Sequence, residues 1–254
     1  MTAFAAGTPC WADVMLPDLE AGKRFYGELF GWTFSDGAPE FGNYTEAFKD
    51  GRAAAGLMPK QDGRMPTAWN VYFATPDVAR AGARILRAGG RIVAEAAPVG
   101  DLGTMLVAAD PTGAVFSVWQ AGTHPGFGVR REPGAYVWTT LSTRDPRRAD
   151  AFYEEVFGFE SVADSPASDG RFRPWRLAGQ EREIGGRVLM DERAPAEMPP
   201  HFTVCFLVPG MDDAVRTTTR LGGRITVEPV GTPGGPFAVF ADNQGAGFGV
   251  MAPE

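Results

Sequence analysis

Phe25-Tyr26-Gly27-Glu28-Leu29-Phe30-Gly31-Trp32 returns half a chain later as Phe152-Tyr153-Glu154-Glu155-Val156-Phe157-Gly158-Phe159. Each copy follows an aspartate: Asp18-Leu19-Glu20 leads into the first, Asp145-Pro146-Arg147 into the second. From Phe25 to Phe152 the offset is 127, in a chain of 254 residues. A second pair repeats at almost the same distance. Asp110-Pro111-Thr112-Gly113-Ala114-Val115-Phe116 recurs as Asp242-Asn243-Gln244-Gly245-Ala246-Gly247-Phe248, an offset of 132. A chain that repeats at half its length is built of two like parts. At roughly 125 residues each part is long enough for its own core.

Working outward, each part divides again. Residues 9–15 are rich in apolar side chains and read as a strand. Asp18 is a good N-cap, and Leu19, Gly22, Tyr26 and Leu29 then recur at helical spacing. Gly31 stands where a helix ends in a left-handed glycine. Strands are expected near 33–35, 44–48 and 53–58, separated by Gly, Pro and Asn. The order then restarts. A strand at 68–75 is followed by a helix capped by Asp77, with Val78, Gly82, Ile85 and Leu86 as its stripe, stopped at Gly89-Gly90. Strands near 91–94, 104–109 and 114–119 complete the unit. The second half copies the pattern, with Pro146 at the first helical position that proline suits. The order is β-α-β-β-β, four times over. The loops at 163–170 and 191–200 are longer and more polar than their counterparts and are expected to be mobile covers.

Composition limits the partners. Hydrophobic content of 44% and charged content of 22% are those of a soluble globular protein. A net charge of −7, without a Lys/Arg-rich run, argues against nucleic acid. No apolar run reaches 18 residues, so no membrane span or membrane partner is expected. The N-terminus carries no signal-peptide pattern. Two cysteines, Cys10 and Cys205, one in each half, make no disulfide framework. These features suit a reducing cytoplasm and a monomer or homodimer.

The aspartate-led Phe-Tyr-x-x-x-Phe-Gly segment and the Asp-Pro-Thr-Gly turn, each present twice, resemble the vicinal oxygen chelate superfamily. That group holds glyoxalase I, bleomycin-resistance proteins, fosfomycin-resistance enzymes and extradiol dioxygenases. The opening Gly7-Thr8-Pro9-Cys10-Trp11-Ala12-Asp13 is similar to tandem-repeat actinobacterial members labelled glyoxalase-like or hydroxylase. The resemblance implies an α+β fold in which four βαβββ modules pair into two cupped mixed sheets, helices outside. It places one glyoxalase-like domain at 1–122, a linker at 123–134 and a second domain at 135–254. It also implies a metal held by His, Gln or Glu from the first, fourth, fifth and eighth strands of a cup. Carried over, the first-strand position falls on Trp11 and Trp138, the fifth on Asn70 and Thr203, the eighth on Ser117 and Gly249. The fourth-strand region, Gly56 and Leu57 and its echo near Gly186, has no acid. These side chains do not make a transition-metal site, which needs imidazole, carboxylate or thiolate. The two histidines, His124 and His201, read as linker or surface residues. No metal and no cofactor are expected.

Strand alternation sorts the remaining candidates. Trp11, Asp13, Asn70, Tyr72, Ser117 and Trp119 share the inner face of the first cup. Trp138, Thr140, Thr203, Cys205, Gly249 and Met251 share that of the second, which reads as roomier. An aromatic wall with a few polar groups is the usual lining of a small-molecule pocket. Trp11 and Trp138 either line such pockets or plug the space a metal left. Asp13 and Tyr72 are the candidate acid–base pair, or are structural polar groups. Three functions follow. One is a metal-independent protein binding a small, largely apolar or aromatic molecule, as bleomycin-resistance relatives do. Another is a metal-free tailoring lyase, isomerase or hydroxylase-like enzyme of secondary metabolism. The third, a metal-dependent glyoxalase or dioxygenase, is disfavoured by the ligand positions.

Overall fold

The four restarts read from the sequence are four modules in the computed structural model, which describes residues 4–165, 167–192 and 194–253. The first module is β1 (Pro9–Leu16), α1 (Leu19–Phe30), β2 (Thr33–Phe34), β3 (Thr45–Lys49) and β4 (Arg52–Pro59). The second is β5 (Trp69–Ala74), α2 (Val78–Arg87), β6 (Arg91–Val99), β7 (Gly103–Ala109) and β8 (Val115–Ala121). The third is β9 (Tyr136–Thr143), α3 (Pro146–Phe157), β10 (Phe159–Ser161), β11 (Phe172–Leu177) and β12 (Glu183–Leu189). The fourth is β13 (His201–Leu207), α4 (Met211–Arg220), β14 (Arg224–Val230), β15 (Phe237–Ala241) and β16 (Gly247–Met251).

Helix starts follow the caps. Asp18 accepts from the Ala21 amide, Asp77 from Arg80 and Asp145 from Arg148. The carboxylates satisfy amides that the first turn leaves without partners. α4 differs, since Gly210 gives it no side-chain cap. Gly31 and Gly158 end their helices at φ 71° and 72°, a conformation L side chains avoid. β6 runs on to Val99 through Pro98, well past the expected 91–94. It is an outermost strand, where proline's missing N–H leaves no ladder bond unmade.

The strands form two eight-stranded mixed sheets, in the orders β2-β3-β4-β1-β5-β8-β7-β6 and β10-β11-β12-β9-β13-β16-β15-β14. In every module the first strand pairs in parallel with the last: β1 with β4, β5 with β8, β9 with β12, β13 with β16. Each sheet is thus drawn from one half of the sequence. Compactness runs otherwise. One compact unit joins the second and third modules (residues up to Trp11, Asn70–Gly126 and Thr139–Phe202); the other joins the first and fourth (Ala12–Trp69, Phe127–Trp138 and from Thr203 on).

Aromatic side chains fill both cores. In the first unit Phe73 and Phe116 pack against Phe157, Phe202 and Tyr153, with Trp175 behind. In the second, Tyr26 and Phe30 pack against Trp32, Phe206 and Phe248. The repeated motifs meet crosswise in these cores. Tyr153 of α3 donates its hydroxyl to Asp110 Oδ2 at 3.1 Å. Asp110 Oδ1 holds the turn of its own motif by accepting from the Thr112, Gly113 and Ala114 amides. Likewise Tyr26 of α1 donates to Asp242 Oδ2 at 2.8 Å and accepts from Trp69 Nε1 at 3.0 Å. Asp242 Oδ1 holds the amides of Gln244 and Ala246. Both phenols are pushed well above their ordinary pKa by burial first, and then by the charge of the partner aspartate.

The segment expected as a linker divides between the two units, and its residues 127–134 are tied to the second. Phe127 stacks on Tyr136 with ring centres 4.7 Å apart. Trp32 donates to the Gly134 carbonyl at 2.6 Å, and Arg52 forks onto Glu132. The loops expected to be covers are pinned at several described points. Ser168 Oγ donates to the Val162 carbonyl, Arg144 to that of Pro195, and Arg171 pairs with Asp191. Residues 166 and 193 of those loops lie outside the described residues.

Candidate functional site

The first unit gathers most of the first-cup candidates. Ser117 on β8 lies opposite Tyr72 on β5 in the parallel register, and Trp119 opposite Ala74. Asn70 Nδ2 donates to Ser117 Oγ at 2.9 Å, so two predicted polar groups satisfy each other. The Tyr72 and Trp119 rings meet edge to face at 6.4 Å. Trp11 packs its ring on His124, at 4.6 Å and 80°. Trp119 also packs on His124, at 6.1 Å, and donates Nε1–H to the His124 carbonyl at 2.9 Å. His124 was expected as a linker residue, yet it lies half-buried between two tryptophans. Its sequence setting, Gly122-Thr123-His124-Pro125-Gly126, signals a turn and nothing more. Trp11, Tyr72 and Trp119 are all buried, and Ser117 is fully so. The cluster offers indole and phenol surface, one amide, one hydroxyl and one imidazole. Thr140 belongs to the same unit, half-buried on β9 opposite Gly186 on β12. A separate shallow cleft of about 180 Å³, lined by Gly7, Ala74, Pro76, Arg80, Arg84 and Phe157, contains none of the predicted site residues.

The second unit holds the other candidates. Asp13 is buried on β1, opposite Gly56 on β4. The Tyr44 hydroxyl, just ahead of β3, donates to Asp13 Oδ2 at 3.4 Å. Sequence reading paired Asp13 with Tyr72 and passed over Tyr44. Tyr44 stands at the start of a short strand, with no periodicity to mark its ring as a site residue. Trp138 is half-buried on β9, while Thr203 and Cys205 are buried on β13. Cys205 faces Gly249 on β16 and lies 3.8 Å from the Thr203 carbonyl. Burial pushes the Cys205 thiol far up, so it stays protonated and is a poor nucleophile or ligand. The space beside Gly249 is not open. A Cβ there would collide with Cys205 Sγ and press on the Phe237 ring. The thiol and that ring take up the room which a glycine suggested.

The donor sets do not fit a divalent transition metal. The six positions implied by the resemblance are two indoles, an amide, two hydroxyls and a glycine. Among the described residues no three His, Cys, Asp or Glu side chains come close enough to share an ion. His124 packs on tryptophans, and His201 Nδ1 lies 2.9 Å from the Pro199 carbonyl at the start of β13.

Comparison with known proteins bears on the family and the fold. The pattern of a glyoxalase-like domain matches residues 12–119. That of the glyoxalase/bleomycin resistance protein/dioxygenase superfamily matches residues 135–250. The protein named "Putative glyoxylase CFP32" in Mycobacterium tuberculosis (strain CDC 1551 / Oshkosh) is 36% identical over 98% of this chain and 96% of its own length. Anthracycline biosynthesis protein DauV of Streptomyces sp. (strain C5) is 36% identical over 99% of this chain and 95% of its own. Among solved structures, the Mn(II)-bound glyoxalase from Novosphingobium aromaticivorans superposes with a TM-score of 0.68 at 16% identity, covering 97% of this chain and 82% of that one. At that identity the likeness speaks for the fold. With both halves matched and full-length relatives at this identity, the chain belongs to the glyoxalase/bleomycin resistance protein/dioxygenase superfamily.

Proposed function

We propose that this chain is a metal-independent member of its superfamily that binds a small, largely apolar or aromatic molecule. The observation that carries the reading is the packing of Trp11 and Trp119 on His124 and of Tyr72 on Trp119, in the unit that also holds the Asn70–Ser117 pair. Flat rings beside a few directional polar groups suit a planar ligand. The donor chemistry at the metal positions supports metal independence. Relatives named for anthracycline biosynthesis favour a fused-ring aromatic as the ligand class, because such rings match an indole face in shape.

A second reading has one observation in its favour. A carboxylate held out of water beside a phenol, as Asp13 is beside Tyr44, is an arrangement suited to proton transfer. It supports a cofactor-free tailoring enzyme, with Asp13 as base and Tyr72 or Tyr44 as acid.

Two measurements on untagged protein test the first reading. Elemental analysis is expected to find no near-stoichiometric Zn, Ni, Mn or Fe that a chelator removes. Calorimetric titration with a planar probe such as 2-naphthol is expected to show saturable binding. A chelator-sensitive metal at one per chain ends the metal-independent reading, and absence of binding ends the ligand reading.

A further inference from the structure

The cleft of about 180 Å³ lies wholly within the first unit, between the first turns of α2 and the last turn of α3. Ala6, Ala74, Ala81, Val156 and Phe157 give it an apolar lining. Arg80 and Arg84 bring two guanidinium groups to it. One helical turn apart, these arginines share a face of α2. Neither side chain has an ion pair or hydrogen bond among the described residues. α2 carries no acidic side chain to offset them. Like charges at that spacing slightly destabilise a helix, so helix stability gives no reason for the pair. The helix end is not what the cleft offers, because its amides are taken. The Val78 amide donates to Gln120 Oε1 at 2.9 Å, and the Arg80 amide to Asp77 Oδ1 at 2.9 Å. Asp77 also lines the cleft, so two positive side chains face one negative. The duplication supplies an internal comparison. Gly89-Gly90 follows α2 as Gly222-Gly223 follows α4, which puts Asp213 and Thr217 where α2 has Arg80 and Arg84. Asp213 pairs with Arg216 of its own helix. The second repeat thus builds the same helix without either arginine.

We infer that this cleft is a second binding site, one that takes a small organic carboxylate. The ligand's apolar body lies on Ala81, Val156 and Phe157, and its carboxylate accepts from Arg80 and Arg84. A guanidinium only donates, and its planar fork matches the two oxygens of a carboxylate. Two positive groups against one negative leave a single positive charge, which suits a monoanion. The apolar lining calls for a body behind that charge, which inorganic phosphate lacks. Pockets for drug-sized ligands run to about 300–1,000 Å³. A cleft of about 180 Å³ therefore suits one ring or a short chain. The site shares no residue with the aromatic cluster and does not depend on it.

The test is an NMR titration of the full chain with benzoate, following the amides of Gly7, Ala74 and Ala81. Saturable shifts at these amides are expected, with a Kd of about 1 mM for so small a ligand. Benzamide keeps the ring and loses the charge, and is expected to bind about tenfold or more weakly. Arg80→Gln/Arg84→Gln is expected to weaken benzoate by about tenfold or more and leave benzamide unchanged. Arg80→Asp/Arg84→Thr, which installs the second repeat's side chains, is expected to abolish benzoate binding. Should either double variant fail to fold, the single Arg80→Gln at an exposed position reads the same loss in smaller measure. Absence of a saturable benzoate shift at these amides overturns the site. Benzamide binding as tightly as benzoate overturns it too, as does a benzoate affinity untouched by the Gln variants. Inorganic phosphate that shifts the same amides as strongly as benzoate overturns the carboxylate class. Binding of 2-naphthol elsewhere, present or absent, changes none of these outcomes.

Discussion

Tyr26 and Tyr153 each bury a phenol to meet an aspartate that is also tying up a turn. The repeat made both tyrosines and both aspartates conspicuous, but not their pairing, because Tyr26 and Asp242 are 216 positions apart. Removing a hydroxyl while keeping the ring leaves packing intact and takes one donor from a buried carboxylate. Tyr26→Phe and Tyr153→Phe should therefore each cost about 1–3 kcal/mol in urea unfolding. Both phenols have folded-state pKa values raised from an ordinary 10.0. The unfolded chain then releases those protons first as pH climbs, so this stabilisation is whole below pH 10 and is lost as pH rises above it. Melting temperature should fall steeply on the alkaline side, and the fall should be shallower in the double Phe variant. An unchanged alkaline slope in that variant would show that other groups govern it.

Helix ends were the most legible elements, and they also show where the copies diverge. Three helices begin at an aspartate that accepts an amide from its own first turn, within three residues. α4 begins at Gly210, whose φ of −159° is extended backbone open to any residue, with nothing within 4 Å of a Cβ. Gly210→Ser supplies a cap and stiffens the unfolded chain. It should stabilise the protein by about 0.5–1 kcal/mol, read as a higher urea midpoint. Asp145→Ala should do the opposite on α3, at about 1 kcal/mol. The long course of β6 was not legible, because Pro98 reads as a strand breaker unless the strand is known to be an edge.

At the scale of the molecule, the two halves have the same topology with different side chains on corresponding strands. Trp11 is buried against His124, whereas Trp138 is half-buried. If the first repeat carries the ligand, Trp11→Ala should weaken 2-naphthol binding by about tenfold, and Trp138→Ala should alter stability with little change in affinity. Emptying a buried tryptophan site costs about 3–5 kcal/mol, so titrations belong well below each variant's melting point. The reverse ranking moves the site to the second repeat. Tighter binding of apolar probes to Trp11→Ala than to the parent identifies Trp11 as a plug.

By itself the sequence determined the duplication, the four βαβββ restarts, the helix caps and the residue types at the positions where the resemblance puts metal ligands. All of these depend on residue identity or on neighbours a few positions away, which is the range over which capping, periodicity and turn chemistry act. The tertiary structure alone decided which side chains meet. It set Tyr44 against Asp13, brought His124 between Trp11 and Trp119, and filled the space beside Gly249 with Cys205. It also joined the second module to the third and the first to the fourth in compact units. Strand register and core packing fix those contacts between residues from two to more than two hundred positions apart. No local pattern records them, because each partner satisfies its own segment's rules whether or not the other is present.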